Sequence, residues 1–455
     1  MAVNWQWLWP TFGLCGACAS AVPPGADFAE SRCQVVFEEG TEGMPTIELG
    51  AIIELTQPDG KSEHDGLFET RGMHLAVAEL NDHRDIAGKR LRLTVCDTRT
   101  DWSKGGGQIT RDLTRWLIEQ RHVQAIFADA SSDTQTAQAV TVPAGVLLMA
   151  ISATSEDLTS LADKGLVWRV APSDIYQGAV LAHIATKGLA ADAKVSLVTV
   201  QSPYGDGLQD ALGKALGKRM QPHTFGSDGK GLAGAVQAAA GDGSAALLVV
   251  GSTDQALAVA NARVAVPALA NLPLFFADGA CEADVATKPL QPGATVAGMH
   301  CTRPGQPPTP IYNQFRERYQ QKFGADPADS SFSQHAFDAV YAVALAHAYA
   351  LRAGGPGKID GVSLAEGLRH LAKGDKFSFK PNDITKMTTA LQKGQDIDIE
   401  GASGPLDFNP DTGEAPSDYA DWVVSGGKLV NAGYFAVQDL GAGKYAVLPL
   451  DATPP

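Results

Sequence analysis

The chain has 455 residues, too many for one ordinary hydrophobic core, and its 44% apolar and 19% charged content suits a globular protein of two lobes or domains. Against 51 acidic residues stand 36 basic ones, a formal charge of −15, with no dense Lys/Arg run to track phosphates. Nucleic acid is thereby excluded as a partner.

The first feature in chain order is a short apolar stretch, Trp5, Trp7, Leu8, Trp9, Phe12 and Leu14, running into small residues around Cys15 and Cys18. Residues 1–30 read as an export signal and linker. The small residues before Cys18 also resemble a lipoprotein processing site, which would make Cys18 the lipid anchor. Two departures stand against that: Cys15 replaces the expected aliphatic residue, and no Lys or Arg precedes the apolar stretch. No other segment offers about 18 uninterrupted apolar residues, so no membrane span is expected.

Apolar runs rich in β-branched residues then alternate with amphipathic stretches, the pattern of βα units around a mainly parallel sheet. Strands are expected at Thr46 to Ile53, Leu91 to Asp97, Ala125 to Phe127 and Val146 to Ile151, with helices at Leu67 to Asn81, Ile109 to Gln120 and Thr134 to Val142 between them. Pro172 requires an extended residue before it, so the chain is expected to cross to a second lobe there. Strands at Val195 to Val200, Ala246 to Val250 and Leu274 to Ala277 alternate with helices at Leu208 to Leu216, Leu232 to Ala240 and Gln255 to Val264. A return crossing is expected between Thr295 and Cys301, near Gly298, ahead of long helices at Ile311 to Phe323 and Ser333 to Leu351. A third crossing is expected near Gly401, and period-2 stretches at Ala420 to Val424 and Lys428 to Val437 read as antiparallel strands. The fold class is α/β, with residues 46–170 and 302–400 in one lobe and 171–301 and 401–450 in the other.

Cys33, Cys96, Cys281 and Cys301 are an even set that export would allow to form two disulfides. Cys281 with Cys301 is the better pairing, because both lie near strand ends about one loop apart; Cys33 with Cys96 follows by elimination. Free buried thiols are the alternative. Catalytic and metal chemistry find no support: no GxSxG elbow surrounds Ser131 or Ser152, no His-Glu-x-x-His occurs, and the 10 histidines are scattered. Asp407, Asn409, Asp411 and Gly413 fit a hairpin turn better than a calcium loop, the glycine being one place late. No metal, cofactor or enzymatic turnover is expected.

Four stretches carry a resemblance to the branched-chain-amino-acid type of periplasmic solute-binding protein. They are Gly72-Met-His-Leu-Ala-Val-Ala-Glu-Leu-Asn81 with Ile86 to Leu91 behind it; Ser131-Ser-Asp-Thr-Gln-Thr-Ala137; Ile151 to Thr159 leading to Arg169-Val-Ala-Pro-Ser-Asp174 and Gln177; and Tyr204-Gly-Asp-Gly207. The stretch Gly404 to Gly413 is a weaker fifth. The resemblance implies a two-lobed type I fold with three hinge crossings, closing on a small amino-acid-like ligand that is delivered to an ABC permease. A sensory module of the same fold without transport is the alternative.

The resemblance also implies a site made of Ser131, Ser132, Ser152, Ala153, Thr154, Tyr204 and Asp278. Ser131 and Thr154 would hold the ligand's α-carboxylate, a carbonyl near Ser152 and the Asp278 carboxylate its ammonium, and Tyr204 would face them. Hydroxyls and free N–H groups at helix starts suit an anion, although Ser131, Ser152, Thr154 and Ser155 also suit plain helix caps. Asp278-Gly279 is equally an ordinary turn pair and Tyr204 an ordinary core aromatic. Two departures from the family bear on ligand choice: the segment Glu54 to Gly66 is long and acidic, and Ser252 and Thr253 stand where relatives often carry a larger side chain.

Overall fold

A computed structural model describes residues 26–57, 60–82, 86–98, 106–441 and 443–450. The export and lipid-anchor expectations, Cys15 and Cys18 included, fall on residues outside that set. Among the described residues no helix is long and apolar enough to cross a membrane.

The first sheet is built from β1 (Val35–Phe37), β2 (Thr46–Ile53), β3 (Arg90–Asp97), β4 (Ala125–Ala128), β5 (Leu147–Ala150) and β6 (Val167–Arg169). Their order is β1-β3-β2-β4-β5-β6, parallel throughout except for β1 against β3. β4 and β5 are buried at every position, as a sheet with helices on both faces requires. The helix His64–Asp82 covers this sheet, and the long helix Ser333–Ala350 packs against it. Gly72 permits that approach, because a Cβ there would overlap the Ser333 carbonyl. Arg318 pairs with Glu79 at 2.6 Å and the Tyr341 hydroxyl donates to Glu79 at 2.8 Å, joining three helices of the lobe.

The second sheet takes β7 (Val195–Gln201), β8 (Met220–Gly226), β9 (Ala246–Val250), β10 (Leu274–Phe276) and β11 (His300–Pro304). A small parallel pair, β12 (Asp375–Ser378) and β13 (Ile397–Glu400), lies apart from it. β14 (Tyr419–Ser425), β15 (Lys428–Asp439) and β16 (Tyr445–Leu450) complete an eight-stranded order of β16-β15-β14-β11-β10-β9-β7-β8. Successive residues of β9 face opposite sides: Leu247 and Val249 join one apolar cluster, Leu248 and Val250 the other.

The first crossing follows β6, before the helix Asp174–Thr186. The second falls later than Gly298. That residue still belongs to the second lobe, its N–H bonded to the Val424 carbonyl, and β11 continues the second sheet to Pro304. The third also falls later than Gly401. Ala402, Leu406, Phe408 and Ala415 pack into the first core, and the Ala402 and Ser403 N–H groups donate to buried Asp338 at 2.9 and 2.6 Å. That carboxylate, on the helix Ser333–Ala350, holds the segment back in the first lobe. Both disulfides are formed, Cys33–Cys96 and Cys281–Cys301.

Candidate functional site

Segments of both lobes converge where the lobes meet. β4 ends at Ala128 and the helix Ser131–Ala144 begins three residues on; β5 ends at Ala150 and leads into Ser152, Ala153 and Thr154. Ser131 does not cap its helix: Ala130 holds the N-cap position, and the Ser131 hydroxyl accepts the Ser155 N–H at 3.2 Å. Of the four candidate caps, Ser155 takes the Asp157 N–H and serves that purpose. Thr154 is buried, with no hydrogen-bond partner for its hydroxyl. Ser132 and Ser152 are half-buried and Ala153 is fully buried.

Opposite, the helix Pro203–Leu216 is capped by Ser202 and places Tyr204 in its first turn. The Tyr204 hydroxyl donates to Asp278 Oδ1 at 2.6 Å and accepts the Gly279 N–H at 3.2 Å. Asp278, 2% exposed, stands at the carboxyl end of β10, where crevices of open α/β sheets hold their ligands. Gly207 lets this helix approach the first lobe, since a Cβ there would come within 2.8 Å of Ser155 Oγ. The two halves thus approach each other through Ser155 and the Tyr204 helix, with Asp174 between Thr154 and Asp278.

Asp174 was not expected as a site residue. It opens the helix after the first crossing, fully buried, and its N–H donates to the Thr154 carbonyl at 2.8 Å. Its buried carboxylate faces the Thr154 hydroxyl, and Gln177 Oε1 one turn on has no hydrogen-bond partner. Burial, then the neighbouring Asp278, pushes Asp174 well above the usual carboxylate range, with Thr154 and Arg169 opposing. Burial pushes Asp278 up to about 6, opposed mainly by the Tyr204 hydroxyl. Arg169 supplies little free charge to the cleft, being paired with Glu414 and bonded to the Ser155 carbonyl at 2.8 Å. A signal for Asp174 was present in the Pro172-Ser173-Asp174 stretch of the resemblance, which was read only as a crossing.

Acid also reaches the first-lobe half, which was expected to be rich in N–H groups and hydroxyls. Glu69, 1% exposed, faces Ser152, and burial with the neighbouring Asp129 and Asp65 raises it well above its ordinary value. Asp129 accepts the Glu54 and Ala130 N–H groups, both at 2.6 Å, yet burial and Asp133 push it up to about 8. Among the described residues no group of three or more His, Cys, Asp or Glu could hold a metal ion. The Asn409–Glu414 segment is a hairpin turn, with the Gly413 N–H on the Asn409 carbonyl. Ser252 caps the helix Thr253–Ala262 in a reciprocal bond with Gln255.

Two cavities lie away from this cleft. One of about 900 Å³ is lined by Phe28, Phe37, Arg71, His74 and Phe323; the other, about 480 Å³, by Ile175, His183 and Tyr445 among others.

Two sheet-and-helix lobes joined by three crossings, with buried polar groups between them, define the two-lobed periplasmic-binding-protein architecture. The chain belongs to the periplasmic binding protein family, whose sequence profile matches residues 46–425. Among solved structures it is similar to the leucine binding protein LivK of Thermotoga maritima, at TM-score 0.68 and 18% identity over 85% of this chain and 98% of that one. It is similar to LivJ, a branched-chain amino acid transporter substrate binding protein of Streptococcus pneumoniae, in complex with isoleucine, at 0.65 and 21% over 89% and 100%. A solute binding protein of an ABC transporter from Rhodopseudomonas palustris, in complex with 3,4-dihydroxy benzoic acid, aligns at 0.64 and 16% over 86% and 97%. At these identities the likeness is one of fold. No curated protein sequence matches the chain.

Proposed function

We propose that this chain is an extracytoplasmic solute receptor, not an enzyme, that closes its lobes around an amino acid or similar amine-bearing molecule and delivers it to an ABC-type permease. The observation that carries the reading is the meeting of Thr154 and Asp174 with Tyr204 and Asp278, where buried oxygens await donors. A carboxylate removed from water without a partner is costly, and an ammonium between Asp174 and Asp278 offsets that cost. The same argument disfavours an aromatic acid such as the one held by the Rhodopseudomonas protein, whose carboxylate would enter a cleft already acidic on both sides.

Closure is a population shift: ligand contacts made by both lobes exist only when the lobes meet. The hydroxyl of Ser131 and the free N–H groups of the first helical turn suit the ligand's carboxylate, and Asp278 its ammonium. Calorimetry with the common L-amino acids tests this. At least one binds the wild-type chain, and Asp278→Asn weakens it by about 2 to 5 kcal/mol, the range for removing one partner of a buried charge pair. Unaltered binding to Asp278→Asn would remove Asp278 from the site.

A further inference from the structure

Resting on the reading of the cleft as a small-molecule site, we infer that the ligand is dibasic: one ammonium between Asp174 and Asp278, and a second organic cation between Asp65 and Glu69 of the first lobe and Glu282 of the second. Asp65 and Glu69 stand one turn apart on the helix His64–Asp82, hence on one face of it. Glu282 follows Asp278 by four residues and is 4% exposed. The neighbouring serines Ser330 and Ser331 hold these groups side by side. Ser330 Oγ donates to Asp65 Oδ1 at 2.6 Å, while Ser331 Oγ donates to the carbonyls of Asp278 and Cys281 at 3.3 and 3.5 Å.

Glu69 Oε2 is buried without a hydrogen-bond partner. The local cations are committed elsewhere. Arg303 gives its N–H groups to the carbonyls of Cys281, Ala328 and Ser330 and stacks on Trp422. Lys288 pairs with Asp254 and Asp284, and His64 faces the Asp329 carbonyl and Asp284. Arg303 faces Asp65 and Glu282, and Lys288 lies near Glu63; burial still raises Glu63 to about 7, and burial with the hydrogen-bonded Asp65 beside it raises Glu282 well above its ordinary value. An excess of buried carboxylates is relieved by protons or by a cation brought from outside. The long acidic segment Glu54 to Gly66, a departure from the family pattern, supplies Glu63 and Asp65.

The test is calorimetry on the full chain at neutral pH with L-arginine, L-ornithine and L-lysine, with putrescine and agmatine, and with L-leucine, L-glutamine, benzoate and calcium chloride. A dibasic compound is expected to bind at least about tenfold tighter than L-leucine or L-glutamine. Glu69→Gln and Glu282→Gln are each expected to erase most of that preference. Basic amino acids ahead of the diamines identify an amino acid with a cationic side chain, and the reverse order identifies a diamine; either supports the inference. A preference for L-leucine or L-glutamine overturns the second cation while the receptor reading stands. Binding of benzoate alone, of calcium alone, or of nothing overturns both.

Discussion

On the proposed reading, the protonation of Asp278 governs how pH affects the binding of an amine. Burial lifts its carboxyl to about 6, with the Tyr204 hydroxyl pulling the other way, and Asp174 beside it is lifted further. Only the ionised carboxylate attracts an ammonium, and lowering the pH through the pKa removes that charge. Affinity for an amine ligand is therefore expected to fall as pH drops from 7 to 5, by about tenfold for each unit below 6. Calorimetric titrations across that range check it, and a flat profile would mean that the ligand does not meet an ionised Asp278. The resemblance pointed to Asp278 and Tyr204 and included Asp174 only as part of a crossing, but Glu69 and Glu282 were not legible. Their importance comes from burial against one another, and burial between residues so far apart in the chain leaves no local pattern.

Among the elements, the turn from β10 to β11 has the largest consequence for the site. It carries both Asp278 and Glu282, and the Cys281–Cys301 bond ties it to β11 across 20 residues. Replacing both cysteines by serine is expected to cost about 3 kcal/mol of folding stability and to weaken ligand binding as the turn loosens. Urea unfolding of this variant beside the wild-type chain measures the first effect, and an unchanged transition midpoint would contradict it. Strands buried on both faces were the most legible elements: Thr46–Ile53 and Ala246–Val250 have the bounds that their β-branched runs suggest. β8 and β16 were missed because they are half exposed and mix polar residues or proline into the run. The helix Ser131–Ala144 starts three residues before its expected position because serine occupies its first turn rather than its cap.

At the scale of the molecule, the crossings are fastened to one another. Gln177 donates to Thr302 at 3.0 and 3.1 Å, and the Tyr419 hydroxyl donates to the Ser173 carbonyl at 3.1 Å, which bonds the second and third crossings to the first. Their order could be read from the prolines and the alternation of elements. Two of their positions could not, because Asp338 holds residues 402–403 in the first lobe and β11 runs on to Pro304. Between the lobes, the exposed Lys214–Glu156 pair contributes only about 0 to 1 kcal/mol. Ser331 and Arg303 add hydrogen bonds between the lobes, and on the proposed reading closure depends further on what binds between the two acidic half-sites.

Hydrogen–deuterium exchange with and without the tightest-binding amine tests that dependence most directly. The account predicts slower exchange, on binding, at both Ser152 to Asp157 and Asp278 to Glu282, one segment from each lobe. Protection confined to one lobe, or centred on the cavity lined by Phe28 and Phe323, would contradict capture between the lobes.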